Sequence, residues 1–139
     1  MKIKITLLIC KLVKGLPFNH PEFFQIYLDD NRQVPNKYIS TKDESETVDE
    51  IVSKHFHIDP SWMYSEVCGF RKIDQSNAEV TYACTMPEVL GSNKFGEFFS
   101  PKRLQEQDIK IDPYYEQILS RTSKSFLRGT NSTANRNSL

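Results

Sequence analysis

Glycine is scarce in this chain, with five residues among 139, and none of them sits in a glycine-rich phosphate loop or a G-x-S-x-G turn. Both motifs need glycine where the backbone must approach a phosphate or turn sharply onto a nucleophile, so P-loop and nucleophile-elbow chemistry are excluded. Cysteine is scarce as well. Cys10, Cys68 and Cys84 lie far apart, form no C-x-x-C pair and each fall in an apolar run. They read as buried free thiols rather than as a disulfide framework, a zinc site or a Cys-His nucleophile. No apolar run approaches the roughly 18 residues of a membrane span. The N-terminal "ITLLIC" is short, is followed by Lys11 and Lys14 and has no small-residue cleavage site after it, so it is a strand and not a targeting signal. A cytoplasmic protein without membrane contact is expected, and the sequon at Asn131-Ser132-Thr133 is expected to stay unmodified. An excess of charge is also missing: 18 Lys+Arg balance 18 Asp+Glu. A zero balance argues against bulk phosphate neutralisation. Arg121, Lys124, Arg128 and Arg136 do form a basic C-terminal stretch, and nucleic-acid contact by it is the less favoured reading against a solvated spacer.

What remains is enough for one domain, since 38% of the residues are hydrophobic. Ile3 to Leu12 is apolar on both parities, the pattern of a central strand covered on both faces. "EFFQIYLDD" gives a second strand ending in a turn at Asp29-Asp30-Asn31. Between Thr41 and Phe56 the period changes, and Val48, Ile51, Val52, His55 and Phe56 mark one helical stripe. Two capping boxes compete for its start, Thr41 with Glu44 and Thr47 with Glu50. Pro60 ends the helix region, and "WMYSEVCGFRKI" and "AEVTYACTMP" predict a hairpin about the turn "DQSN". "EFFS" is a short or edge strand. Ser100-Pro101 and Asp112-Pro113 each place proline at the first position of a helix, short in the first case and long in the second, where Tyr115, Ile118, Leu119, Thr122 and Phe126 supply the apolar stripe. A single domain is expected over residues 1–126, with a polar, disordered tail over residues 127–139.

The segment from Val34 to Ile58, "VPNKYISTKDESETVDEIVSKHFHI", concentrates the chemistry. Glu46, Asp49 and Glu50 stand at i, i+3 and i+4, a spacing that can gather carboxylates for magnesium, although acids near a helix N-terminus also compensate its dipole. His55 and His57 lack the i, i+4 spacing of helical zinc ligands, and His20 is remote. His55 lies on the apolar stripe, where a partly buried, hydrogen-bonded imidazole is expected. Aromatics that include Tyr27, Tyr64, Phe70 and Tyr82 serve either as core or as a stacking pocket. Trp62, after Pro60, reads as a half-exposed indole able to anchor a partner.

The same segment resembles the Nudix hydrolase signature, G-x5-E-x7-R-E-U-x-E-E-x-G-U with U apolar. "VPNKYI" stands where that family has its glycine turn, "DESETVDE" where it approaches the helix, and "SKHFHI" where its metal-binding end lies. "SEVCGF", "EVTYACTMP" and "EFFSPKRLQEQ" follow in the family's order. The resemblance covers about residues 3 to 126 and implies an α/β/α sandwich with a mixed β-sheet and flanking helices. It also implies the loss of the metal site. With Ile58 as the terminal apolar position, Ile51 and Val52 fall at the Glu and apolar positions, Lys54 and His55 at the paired glutamates, His57 at the glycine, and Glu50 near the arginine. Asn36 and Lys37 replace the glycine pair, with Asn36 the residue better able to keep the turn.

The expectation is therefore a catalytically inactive Nudix-like binding or scaffolding module with no catalytic residues, no metal and no cofactor. A protein partner is favoured over a nucleotide, with Trp62, Lys54, His55 and Tyr27 as binding candidates. The alternative is a divergent nucleoside-diphosphate-type hydrolase holding Mg through Glu46, Asp49 and Glu50, or through Asp43 and Glu44. A structural subunit of a larger assembly is the third reading.

Overall fold

The computed structural model describes residues 2–40, 44–85 and 93–121. Its centre is strand β1 (Lys2–Leu12), in which every residue from Ile5 to Cys10 is 1% exposed or less. Such a strand needs neighbours on both edges and layers on both faces, because its side chains alternate between them. Along one edge runs β5 (Asn77–Thr85), in parallel, with its hairpin partner β4 (Tyr64–Lys72) outside it. Two short antiparallel strands share the other edge: β3 (Asn36–Ile39) beside Ile3 to Thr6 of β1, and β2 (Phe24–Leu28) beside Cys10 to Leu12. β6 (Glu97–Phe99) then pairs with β2. The result is a mixed six-stranded sheet.

Helix α1 (Glu44–His55) covers one face, setting Val48, Ile51 and Val52, with Phe56 just beyond it, on Ile5, Leu7, Ile9, Tyr27 and Val80. Complete burial of side chains of this size contributes roughly 1.5–3 kcal/mol each. The opposite face carries α2 (Pro101–Glu106) and α3, helical from residue 113 to residue 121, with Tyr115 and Ile118 packed on Leu8, Ile26 and Phe99. Ser100 caps α2 by accepting a hydrogen bond from the Arg103 N–H at 3.1 Å. Asp112 does the same for the Tyr114 N–H at 2.8 Å. This is an α/β/α sandwich. Among the described residues no helix is long and apolar enough to cross a membrane.

Three expectations need correction. Asn36 does not hold a turn: Asn36 and Lys37 are extended in β3, and the left-handed residue is Arg32 (φ 61°), in the turn that Asp29 organises. Pairing with the free edge of β1 overrides the turn propensity of a proline-asparagine sequence. Thr47 is not a helix cap, because it lies buried inside α1. The competing box begins at Thr41, outside the described residues. Cys68 is only half-buried, since it sits at a bulge of the edge strand β4. That bulge presents Gly69 to α3, where a Cβ would strike the Tyr114 hydroxyl and the end of Ile118. Thr122, Phe126 and the expected tail over residues 127–139 lie outside the described residues.

A buried carboxylate fastens α3 to the sheet. Glu79 on β5 is fully buried and accepts hydrogen bonds from the Thr6 hydroxyl (2.6 Å), the Tyr115 hydroxyl and Arg71 Nε (2.7 Å), with Lys4 Nζ at 3.9 Å. Arg71 continues to Asp112 at 3.0 Å and stacks over the Tyr114 ring at 4.1 Å. Burial pushes the Glu79 carboxyl up, but the three hydrogen bonds and the charge of Arg71 outweigh it and hold the pKa below its ordinary 4.5. A depressed folded-state pKa contributes stability above the ordinary carboxylate range and loses it as pH falls through the folded value. Glu79→Gln is expected to cost about 2 kcal/mol in urea unfolding at neutral pH. The gap to the parent chain should close in acid.

Candidate functional site

α1 ends in a cleft whose other wall is the β2–β3 connection. Asn36, Lys37, Glu50, Ile51, Lys54 and His55 line a depression of about 380 Å³. Asn36, Lys54 and His55 also line an adjoining one of about 390 Å³ with Asp29, Asp30 and Phe95. Local rules place these groups. Tyr27 is on the α1 side of β2, with its ring tilted on Phe56 at 4.7 Å and on Phe98 at 5.5 Å. His55 closes the apolar stripe of α1 and reaches the Tyr27 hydroxyl through Nδ1 at 3.0 Å. Its ring stands edge-on to Tyr27 and to Phe95.

Two lysines meet the end of the helix. Lys94 donates its backbone N–H to the His55 carbonyl and its ammonium to the Ser53 carbonyl, both at 2.8 Å. Lys54 occupies the same last turn. Cations are favoured there because the last carbonyls of a helix carry the negative end of its dipole. Glu50 is held by Lys37 Nζ at 2.6 Å. Both partners are about half exposed, so the pair adds little stability. Its consequence is to neutralise the carboxylate that shares the wall of this depression with Lys54.

Magnesium requires several oxygen ligands at one point. The proposed trio does not converge in that way. Asp49 lines a groove on the other side of α1 beside Trp62, whereas Glu50 turns to Lys37. Glu46 is exposed, and Glu44 accepts a hydrogen bond from the Tyr82 hydroxyl at 2.8 Å. Asp43 lies outside the described residues. Asp29 spends one carboxylate oxygen on the N–H groups of Asn31 and Gln33. Among the described residues no group of three or more His, Cys, Asp or Glu side chains could hold a metal ion. The described carboxylates of the cleft do not fit a magnesium site.

The structure thus brings together Lys54, His55, Tyr27 and Glu50, and leaves Trp62 and Asp49 elsewhere. Sequence reasoning missed Lys37 and Phe95 as parts of the cleft and Lys94 as a tie to the end of α1, and took Asp29 and Asp30 as turn residues alone. The covert signal was Lys37 itself, a cation on the strand facing the acidic side of the helix.

Eight solved chains match this structure. One is the Nudix domain of Shewanella oneidensis NrtR complexed with ADP ribose, at a TM-score of 0.59 and 10% identity over 89% of this chain and 87% of that one. Another is a MutT/nudix family protein from Enterococcus faecalis, at a TM-score of 0.51 and 10% identity over 71% of this chain and 43% of that one. The fold is Nudix-like. No family model matches the sequence, and no curated protein matches it. Within this Nudix-like frame the end of α1 carries Lys54 and His55.

Burial and the neighbouring Lys54 ammonium both hold the His55 imidazole below its ordinary 6.5, against a smaller opposing pull from Asp29 and Asp30. Burial, with the same two aspartates, pushes the Tyr27 phenol up to about 12. A depressed histidine pKa means that the neutral form is the one folded in, so acid that charges His55 destabilises the cleft. NMR titration of His55 should give a midpoint below 6.5, and Lys54→Gln should move it upward. A midpoint at or above 6.5 would contradict this electrostatic account.

Proposed function

We propose that this chain is a Nudix-like binding module whose cleft does not support metal-dependent hydrolysis, and that its ligand is principally a protein partner. The observation that carries the reading is the placement of Lys54 and His55 in the cleft wall, with Glu50 neutralised by Lys37. A hydrolase of this fold type needs clustered carboxylates to carry the metal that polarises a diphosphate and activates water. An ammonium in that position repels the metal, and a neutral imidazole hydrogen-bonded to a buried phenol is committed to holding the helix end in place.

The preference for a protein partner rests on exposed large side chains, among them Trp62, Tyr64, Val67 and Phe70. A small nucleotidic ligand is the second reading, favoured by the structural neighbour that was solved with ADP ribose. Such a ligand would meet Lys37, Lys54 and Phe95 in the cleft. The three free cysteines suit a reducing, intracellular setting.

Magnesium and manganese are expected to produce no saturable rise in Tm, and nucleoside diphosphate derivatives no metal-dependent turnover. Turnover that Glu50→Gln abolishes would overturn the reading in favour of a divergent hydrolase.

A further inference from the structure

The second groove along α1 has a chemistry of its own. It encloses about 480 Å³ and is lined by Val48 and Asp49 of α1, by Trp62 and Met63, and by Tyr64 and Tyr82 of the β4–β5 hairpin, with serines and Pro60 completing it. Val48 and Met63 form a buried apolar floor. Trp62 is 56% exposed and Tyr64 63% exposed. The apolar surface extends along the edge strand: Val67 opposes Tyr82 and Phe70 opposes Val80, on the sheet face that α1 covers further in. Those two residues are 57% and 69% exposed.

Among the described residues the groove lining carries charge of one sign, and Lys72, two residues past Phe70 on the same face of β4, stands at the far end of the apolar strip. Asp49 is the single ionisable acid in the lining, and the lining holds no lysine, arginine or histidine. The Tyr82 hydroxyl donates to Glu44 and the Tyr64 hydroxyl donates to Glu66, at 2.8 and 2.9 Å. A phenol that donates to a carboxylate has a more electron-rich ring. Aromatic faces backed by carboxylates attract cations, and indole does so best. Dipole compensation accounts for Glu44 in the first turn of α1. It does not account for Asp49, a turn further on, facing the aromatics. The occupant that matches an apolar floor, π faces and surrounding carboxylates is a side chain with an aliphatic stem and a cationic head.

We propose that this groove receives a lysine or arginine side chain from a linear segment of a partner protein, with the segment's apolar neighbours lying along Val67 and Phe70. The proposal rests on the binding-module reading and names the chemistry of its partner.

A random-peptide display selection on the full chain tests it. Selected sequences should be enriched in Lys or Arg beside apolar residues. The chosen peptide should change the emission of Trp62, the one tryptophan in the chain. Asp49→Lys should weaken its binding about tenfold or more, and so should raising the salt to about 0.5 M. Asp49 and Trp62 are both exposed, so circular dichroism melts of Asp49→Lys and Trp62→Ala should match the parent and separate lost binding from lost folding. Selection of acidic or uncharged peptides would overturn the proposal, as would binding indifferent to Asp49→Lys or no enrichment at all. So would a doubled mass in sedimentation that Trp62→Ala returns to monomer, because the occupant would then be a second copy. None of these outcomes measures metal-dependent turnover, so the groove can fail while the non-hydrolytic reading stands.

Discussion

The two-sided burial of β1 is the constraint from which the rest follows. A strand whose residues from Ile5 to Cys10 are all withdrawn from water leaves its backbone groups no partner but other strands and its side chains no place but two packed layers. β5 pairs one edge from Lys2 to Cys10, in a register that runs from Lys2–Asn77 to Cys10–Thr85. The other edge is divided between β3 and β2, and the chain must turn between them. That turn carries Asp29 and Asp30 to the end of α1. The cleft is thus a by-product of how the second edge of β1 is shared.

The opposite layer is fixed by polar contacts as well as by its apolar core. On the α3 side β1 offers Thr6, and β5 offers Glu79 and the buried Thr81, whose hydroxyl has no hydrogen-bond partner among the described residues. A charge so placed is tolerable only when fully partnered. The partners come from three elements: Thr6 on β1, Arg71 on β4 and Tyr115 on α3. This network sets where α3 begins, since Arg71 also holds Asp112, the residue that caps it.

Much of this arrangement was legible in the sequence, and for physical reasons. β1, α1 and β5 carry apolar patterns because one or both of their faces are buried. Ser100-Pro101 announced α2 through capping chemistry. β3 stayed hidden because a four-residue strand with Asn36, Lys37 and Tyr38 exposed writes no alternation into the sequence. The Glu79 network stayed hidden because its members are distant in sequence and individually ordinary. The two lysines of the cleft were half legible: Lys54 follows from the resemblance, whereas Lys37 comes from a segment whose position only the fold defines.

The three acids of α1 show why spacing alone misleads. Residues three and four apart share a face, yet successive residues point about 100° apart around the axis. Asp49 and Glu50 therefore straddle the exposed ridge of the helix, one falling into the groove with Trp62 and the other toward Lys37. A carboxylate cluster would require a cation to draw both to one point. In this chain each side of the ridge already presents a different demand, a fixed lysine on one side and an aromatic surface on the other. The acidity of α1 is thereby divided between two surfaces.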